Sequence, residues 1–209
     1  FSFYFGHHIS TIEGGSACTD NDLFANLVTS LRSHGWSRDL EPKLSKSLKL
    51  KYDISDFRDL YAFYYPGFNL RSTEINAFLG IKQLEVITKY CNKRQELFKC
   101  YRDQLSNFWQ QKSNTEFVSA FAYGTLVNNP EEVWQNLKEN GIESRPLICG
   151  SMGLQPFWKK KYGNYYSLRY ADQVHNNGIY LPINADMTQR DVSYVCQKFK
   201  KIAIPSVFE

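Results

Sequence analysis

The chain has no CxxC pair and no cysteine–histidine spacing of a zinc site, although it carries five cysteines, Cys18, Cys91, Cys100, Cys149 and Cys196. A structural zinc site is therefore not expected, and the odd count argues against a disulfide framework, so a reducing, cytoplasmic setting is expected. No apolar run approaches the roughly 20 residues of a membrane span, and no stretch has the pattern of a signal peptide. Lysines and arginines exceed acids by only four, and they are scattered apart from Lys159, Lys160 and Lys161. A lone lysine run is ordinarily a solvated face, and no continuous basic stripe announces nucleic acid. Neither nucleic acid nor a membrane is expected among the partners.

What is present is ordinary globular material. With 209 residues, 43% hydrophobic and 22% charged, the chain can bury a real core as one large domain or two small ones. The 14 tyrosines and 15 phenylalanines suit stacking on flat ligands, but on composition alone they more readily mean aromatic packing. The first residues, Phe1-Ser2-Phe3-Tyr4-Phe5, read as the inside of an apolar strand. The expectation is therefore a fragment lacking an N-terminal portion, with exposed sheet edges and poor solubility by itself.

The periodicities predict strands over 1–5 and 9–19 around a His7-His8 turn, because Ile9, Thr11 and Ile12 are β-formers and Glu13-Gly14-Gly15 breaks the pattern. Asp20 is placed to cap a helix carrying Leu23, Phe24, Leu27, Val28 and Leu31, with Gly35 as its stop. Residues 36–68 show no sustained period and read as a long excursion with at most short elements. From Ser72 a helical pattern runs as far as Leu105, too long for one ordinary helix, and a bent or broken connecting helix is expected. Beyond it the pattern alternates: strand near 117–127, helix from Pro130 to about Asn140, strand near 142–148, helix near 167–177, strand 179–183, helix 188–202. The fold class expected is α/β, in three parts: 1–70, a connecting helix over 71–110, and a small α+β domain over 111–209.

Two blocks carry chemistry. The first is Ser2-Phe3-Tyr4-Phe5-Gly6-His7-His8-Ile9-Ser10-Thr11-Ile12-Glu13-Gly14-Gly15. The second is Gly67-Phe68-Asn69-Leu70-Arg71-Ser72-Thr73-Glu74-Ile75-Asn76-Ala77, with Leu79-Gly80 and Gln83-Leu84 following. In this order they resemble the cofactor segment and the long-helix start of the DegT/DnrJ/EryC1/StrS sugar aminotransferases. Arg145-Pro146-Leu147, Leu181-Pro182 and Met187-Thr188 fit the family's tail more loosely. The resemblance covers nearly the whole chain and implies the C-terminal part of a fold-type I transferase that uses pyridoxal 5′-phosphate or pyridoxamine 5′-phosphate.

One departure is informative: where the family has the lysine that holds the cofactor covalently, this chain has His7. The resemblance then points to the family's branch that removes a hydroxyl from a 4-keto-6-deoxy sugar nucleotide, with GDP-4-keto-6-deoxymannose as the expected substrate and glutamate as the amino donor. An imidazole, with an ordinary pKa of about 6.5, can take a proton and return it to a leaving hydroxyl. His7 is thus the expected acid/base catalyst, although a His-His pair at a turn is by itself more often a surface pair.

The resemblance gives Ser2 the role of binding the cofactor phosphate. It gives Asn69 the role of reaching into the neighbouring subunit's site to hold the same phosphate, which implies a homodimer with shared active sites. Alone, these would read as a strand serine and a turn residue. His34, near the end of a helix, reads equally as a substrate contact or as a residue favoured by the helix dipole. Arg71 and Arg145 suit the diphosphate of a nucleotide sugar, and equally suit structural ion pairs. The competing readings are a sugar-nucleotide aminotransferase, a homologue that has lost activity, an iron–sulfur-dependent dehydrase for which these cysteines do not present the ligands, and a non-catalytic assembly module.

Overall fold

The computed structural model describes residues 1–207 and divides into two compact units, Phe1–Glu85 and Val86–Glu209.

The first unit carries helices α1 (Asp22–Leu31), α2 (Pro42–Lys51), α3 (Asp56–Asp59) and α4 (Glu74–Leu84). The cap of α1 is Asn21 rather than Asp20, its side chain accepting the Phe24 N–H at 2.9 Å. The strands expected over 1–5 and 9–19 reduce to a single bridge, Ser2 with Gly15. The reason is backbone geometry: Ile12 sits at φ 74° and Gly14 at φ 149°, so the segment folds back on itself where a strand would run on. The stretch from 36 to 68 also holds more structure than expected, because α2 is ten residues long and starts at Pro42, in the first turn where proline costs no hydrogen bond. Its period is easily missed, since it buries only Leu48. Helix α4 is capped by Thr73, not Ser72, in a reciprocal capping box with Asn76.

Among the described residues of this unit only Leu40 and Leu48 are buried hydrophobics. Along α4, Ile75, Phe78, Ile81 and Leu84 recur at helical spacing and all remain more than half exposed. The unit is instead held by main-chain pairing of 31–37 with 62–70. Phe68 N–H donates to Leu31 O, Leu70 N–H to Arg32 O, and Ser37 N–H to Ala62 O. Trp36 stacks on Tyr61 at 5.3 Å and donates its indole N–H to Leu60 O at 3.1 Å.

The second unit opens with α5 (Ile87–Gln104), so the long helical pattern is broken after Leu84. It continues through β1 (Ala122–Leu126), α6 (Pro130–Glu139), β2 (Arg145–Pro146), a 3-10 turn at Met152–Leu154, α7 (Pro156–Tyr162), α8 (Arg169–Asn177), β3 (Gly178–Pro182) and α9 (Gln189–Lys200). The three strands form an antiparallel sheet in the order β1-β3-β2, with Gly124 opposite Tyr180 and Arg145 opposite Tyr180. Helices α5 and α9 pack on each other, and α5 on β1, over Leu97, Tyr101, Tyr123, Val192, Cys196 and Phe199, all fully or almost fully buried. Tyr101 enters this core because its hydroxyl donates to Pro182 O at 2.8 Å, and burial pushes its phenol far above the ordinary range.

Helix α9 begins with a second capping box, in which Thr188 Oγ1 accepts the Asp191 N–H and Asp191 accepts the Thr188 N–H and hydroxyl at 2.8 Å. These two bonds, the N–H first, hold the Asp191 carboxyl below its ordinary range. Thr188→Ala should cost about 1 kcal/mol in urea denaturation. A depressed carboxylate pKa stabilises the fold above the unfolded value of about 3.9, and that contribution disappears as pH falls through the folded value. The Thr188→Ala deficit should therefore shrink below about pH 4; a deficit that is flat across that window would mean the box contributes no linkage.

Candidate functional site

The first block is a closed loop. Phe3 N–H donates to Gly14 O, Thr11 N–H to Phe3 O and Ser16 N–H to Phe1 O, each at 2.9 Å. Thr11 is buried, and its hydroxyl donates to Glu13 O at 2.9 Å, which supports the left-handed conformation of Ile12 between them. A β-branched residue at positive φ is strained, and such strain persists only where the surroundings over-determine it. At the loop's far end, His7 N–H closes a turn onto Tyr4 O at 3.0 Å, and the half-buried imidazole lies 6.2 Å from the Tyr4 ring, edge-on. Ser2 Oγ accepts the Tyr4 N–H at 3.4 Å, leaving the hydroxyl proton for an acceptor outside the loop. The first lysine in the chain is Lys43, so no lysine belongs to this block.

The second block is brought against the end of α1. Ser33 and Asn69 form a bridge, and His34 N–H donates to Phe68 O at 2.7 Å, so His34 and Asn69 lie on adjoining backbone 35 residues apart in sequence. His34 holds φ 63°, a region histidine enters more readily than most residues. The crossing demands glycine on both sides: a Cβ on Gly35 would stand 1.7 Å from Tyr65 O, and one on Gly67 would stand 2.1 Å from Gly35 N. His34, Asn69 and Arg71 are all exposed.

The residue joining the blocks is one to which sequence reasoning gave no role. Asn76, in the first turn of α4, donates from Nδ2 to Thr11 O at 2.7 Å and to Glu13 O at 3.3 Å. Gly80, one turn further on, would bring a Cβ to 3.2 Å from the Thr11 methyl. Asn76 thus ties the start of α4 to the strained part of the His7 loop; the available signal was an asparagine at the third position after a threonine cap, where a capping box usually carries Glu or Gln. Asn76→Ala should lose about 1–2 kcal/mol and speed amide hydrogen exchange selectively in residues 9–15. Uniform exchange changes across α4 alone would show that Asn76 serves only its own helix.

Arg145 belongs to the second unit. It is exposed on the edge strand β2, with its guanidinium 5.7 Å over the Tyr180 ring. Burial raises the Tyr180 phenol, and Arg145 opposes that shift. The arginine lines a cleft of about 740 Å3 together with Glu131, Trp134 and His175. In the turn that follows, Ile148 is strained at φ 43°, while Gly150 takes φ 56° without steric cost. Of the six residues marked by sequence, Ser2, His7, His34, Asn69 and Arg71 therefore lie in the first unit, and Arg145 in the second.

Residues 1–200 match the family described as the DegT/DnrJ/EryC1/StrS aminotransferase family. Among curated relatives, a GDP-4-keto-6-deoxy-D-mannose 3-dehydratase of Escherichia coli O55:H7 is 30% identical over 185 residues, covering 85% of this chain and 45% of that protein. A GDP-perosamine synthase of Caulobacter vibrioides is 24% identical, over 98% of this chain and 49% of that protein. Among solved structures, the Escherichia coli GDP-4-keto-6-deoxy-D-mannose-3-dehydratase with bound hydrated PLP superposes with a TM-score of 0.79 at 22% identity, covering 95% of this chain and 53% of that one. The chain spans about half the length of the relatives it matches.

Proposed function

The chain belongs to the DegT/DnrJ/EryC1/StrS aminotransferase family, and from that premise we propose that it supplies half of the active site of a pyridoxal-phosphate-dependent sugar-nucleotide 3-dehydratase. Residues 1–70 would complete a cofactor domain, 71–110 would connect, and 111–209 would form the small domain. The observation that carries the reading is His7, half-buried at the tip of a closed and strained loop, in a block without any lysine. An imidazole cannot hold the cofactor covalently, yet it can move a proton at the reacting carbon and at a departing hydroxyl.

The residues present fit the cofactor. Ser2 keeps a hydroxyl proton to donate to a phosphate oxygen, and Asn69 stands exposed on the paired segment next to Ser33, where an amide can donate to the phosphate bound by a second copy. When bound, the cofactor supplies an amine for the sugar ketone and an electron sink. The chain's own work is orientation and proton transfer: His7 takes the proton and returns it to the C3 hydroxyl as it leaves, while Ser2 and Asn69 anchor the phosphate. His34, Arg71 and Arg145 are proposed to face the sugar nucleotide, the two arginines through its diphosphate. The expected assembly is a cytoplasmic homodimer, the substrate GDP-4-keto-6-deoxymannose and the amino donor glutamate, in deoxysugar biosynthesis.

Transamination is the second reading, favoured by the likeness to a perosamine synthase and disfavoured by His7 standing in a block, residues 2–15, that holds no lysine. Mass spectrometry of the sugar product from the complete enzyme, supplied with pyridoxal phosphate, glutamate and the GDP-linked keto-sugar, separates the two. A product lighter by one oxygen, with ammonia released, supports dehydration. A product carrying a new nitrogen means transamination and removes the argument from His7.

A further inference from the structure

Residues 156–171 hold six aromatic side chains, one leucine and four cations, and not one carboxylate. The chain's entire net charge of +4 equals the charge of this segment, and the remaining residues balance. The segment forms α7, reverses at Gly163 with φ 88°, and returns to the start of α8, its path tied down by Tyr166 N–H donating to Gly153 O at 3.0 Å. Half-buried Trp158 is the hub, with Tyr162 at 4.6 Å and Tyr166 at 6.2 Å between ring centroids. The outer rings stay open: Phe157, Tyr162, Tyr165 and Tyr166 are each 50–56% exposed. Lys159 Nζ lies 4.9 Å over the Tyr165 ring and Lys161 Nζ 5.2 Å over the Tyr162 ring.

Three kinds of occupant could meet a basic aromatic surface, and the geometry separates them. Protein interfaces are depleted of lysine, and this surface has three in succession. Single-stranded nucleic acid stacks its bases on open ring faces, whereas here lysines sit over the faces of Tyr162 and Tyr165. A lipid headgroup layer fits both features: tyrosine and tryptophan rings settle at the boundary of headgroup and acyl chain, and lysine stems run along apolar surface to reach lipid phosphates. No helix among the described residues is long and apolar enough to cross a membrane, and surface docking needs none. We infer that this surface docks the protein peripherally on an anionic lipid bilayer, with Lys159–Lys161 on the phosphates and Phe157, Tyr162 and Tyr165 at the interface. This stands independently of the proposed reaction, because none of these residues is assigned to it.

Sedimentation of the complete enzyme with vesicles, less the amount that pellets without lipid, tests the docking, using phosphatidylcholine with about 30% phosphatidylglycerol against phosphatidylcholine alone. Binding is expected only to the anionic vesicles and to weaken with salt. Replacing all three lysines (Lys159→Gln, Lys160→Gln, Lys161→Gln) should weaken it about 100-fold, at about fivefold for each cation. Lys43→Gln, Lys46→Gln and Lys51→Gln together remove the same charge from α2 and should leave binding within about twofold. Phe157→Ser with Tyr162→Ser should also weaken binding while retaining its salt dependence. Equal binding to neutral vesicles, equal loss in the two lysine variants, or tighter binding to oligothymidylate than to anionic vesicles would each overturn the assignment.

Discussion

His7→Asn is expected to lower the dehydration rate of the complete enzyme by roughly 10²–10⁴-fold, the range for removing a positioned general acid/base. Asparagine retains a hydrogen-bonding group of similar size, and the turn at His7 is closed by main-chain atoms, Tyr4 O and His7 N, which the substitution leaves in place. The loss should therefore fall on kcat, with KM for the sugar nucleotide nearly unchanged. Loss of the Tyr4–His7 ring contact should lower thermal stability only slightly. His8, adjacent and likewise half-buried, is the internal control: His8→Asn should retain activity within a few-fold of the parent. Should His8→Asn carry the larger kcat loss, the proton-transfer role would move by one residue. Losses shared between kcat and KM in both variants would point to loop geometry and away from proton transfer.

Gly35→Ala is expected to have the largest effect on stability, about 3–5 kcal/mol, enough to unfold the pairing of 31–37 with 62–70. Two costs combine. Gly35 has φ 80°, which by itself costs an L-residue about 1–2 kcal/mol. The new Cβ would also stand 1.7 Å from Tyr65 O, an impossible contact that has to separate two backbones. That separation threatens the Gly35 N–H bond to Ser30 O and the Tyr64 N–H bond to Gly35 O, in a unit with almost no buried apolar core to compensate. Gly141 isolates the first cost, because it has φ 71° and nothing within 4 Å of its Cβ position. Gly141→Ala should cost only about 1–2 kcal/mol, and equal denaturation midpoint shifts for the two variants would show that the Gly35 crossing is looser than its geometry implies.

Legibility tracked how local each signal was. The termini of α6, α8 and α9 and the strand at Gly178–Pro182 followed from prolines, caps and apolar runs within a few residues. Both chemistry-bearing blocks are contiguous, so their residue types, and the histidine in place of lysine, could be read directly. The strand expected at 9–19 failed because β-propensity describes fit to a pleated surface, and Ile12 is instead held at φ 74° by Thr11, Glu13 and Asn76. Helix α2 escaped notice because a short helix with four lysines and a single buried leucine leaves little period to detect. The lysine run at 159–161 was visible in the sequence and read as a solvated face, because only the reversal at Gly163 brings Tyr165 and Tyr166 back beside Lys159 and Trp158.

By itself the sequence determined which groups are available: an imidazole where its family carries a lysine, a serine five residues before it, an asparagine and an arginine ahead of a capped helix. It also determined the family, because two blocks in order are a one-dimensional pattern. Only the tertiary structure decided what those groups meet. Asn69 lies beside Ser33 and His34 because Gly35 and Gly67 let two backbones cross, and the His7 loop is held by Asn76, 65 residues beyond Thr11. Such partners are chosen by backbone approach and hydrogen-bond closure over long separations, and no local propensity encodes which of many possible partners a main-chain N–H or a side-chain amide will take.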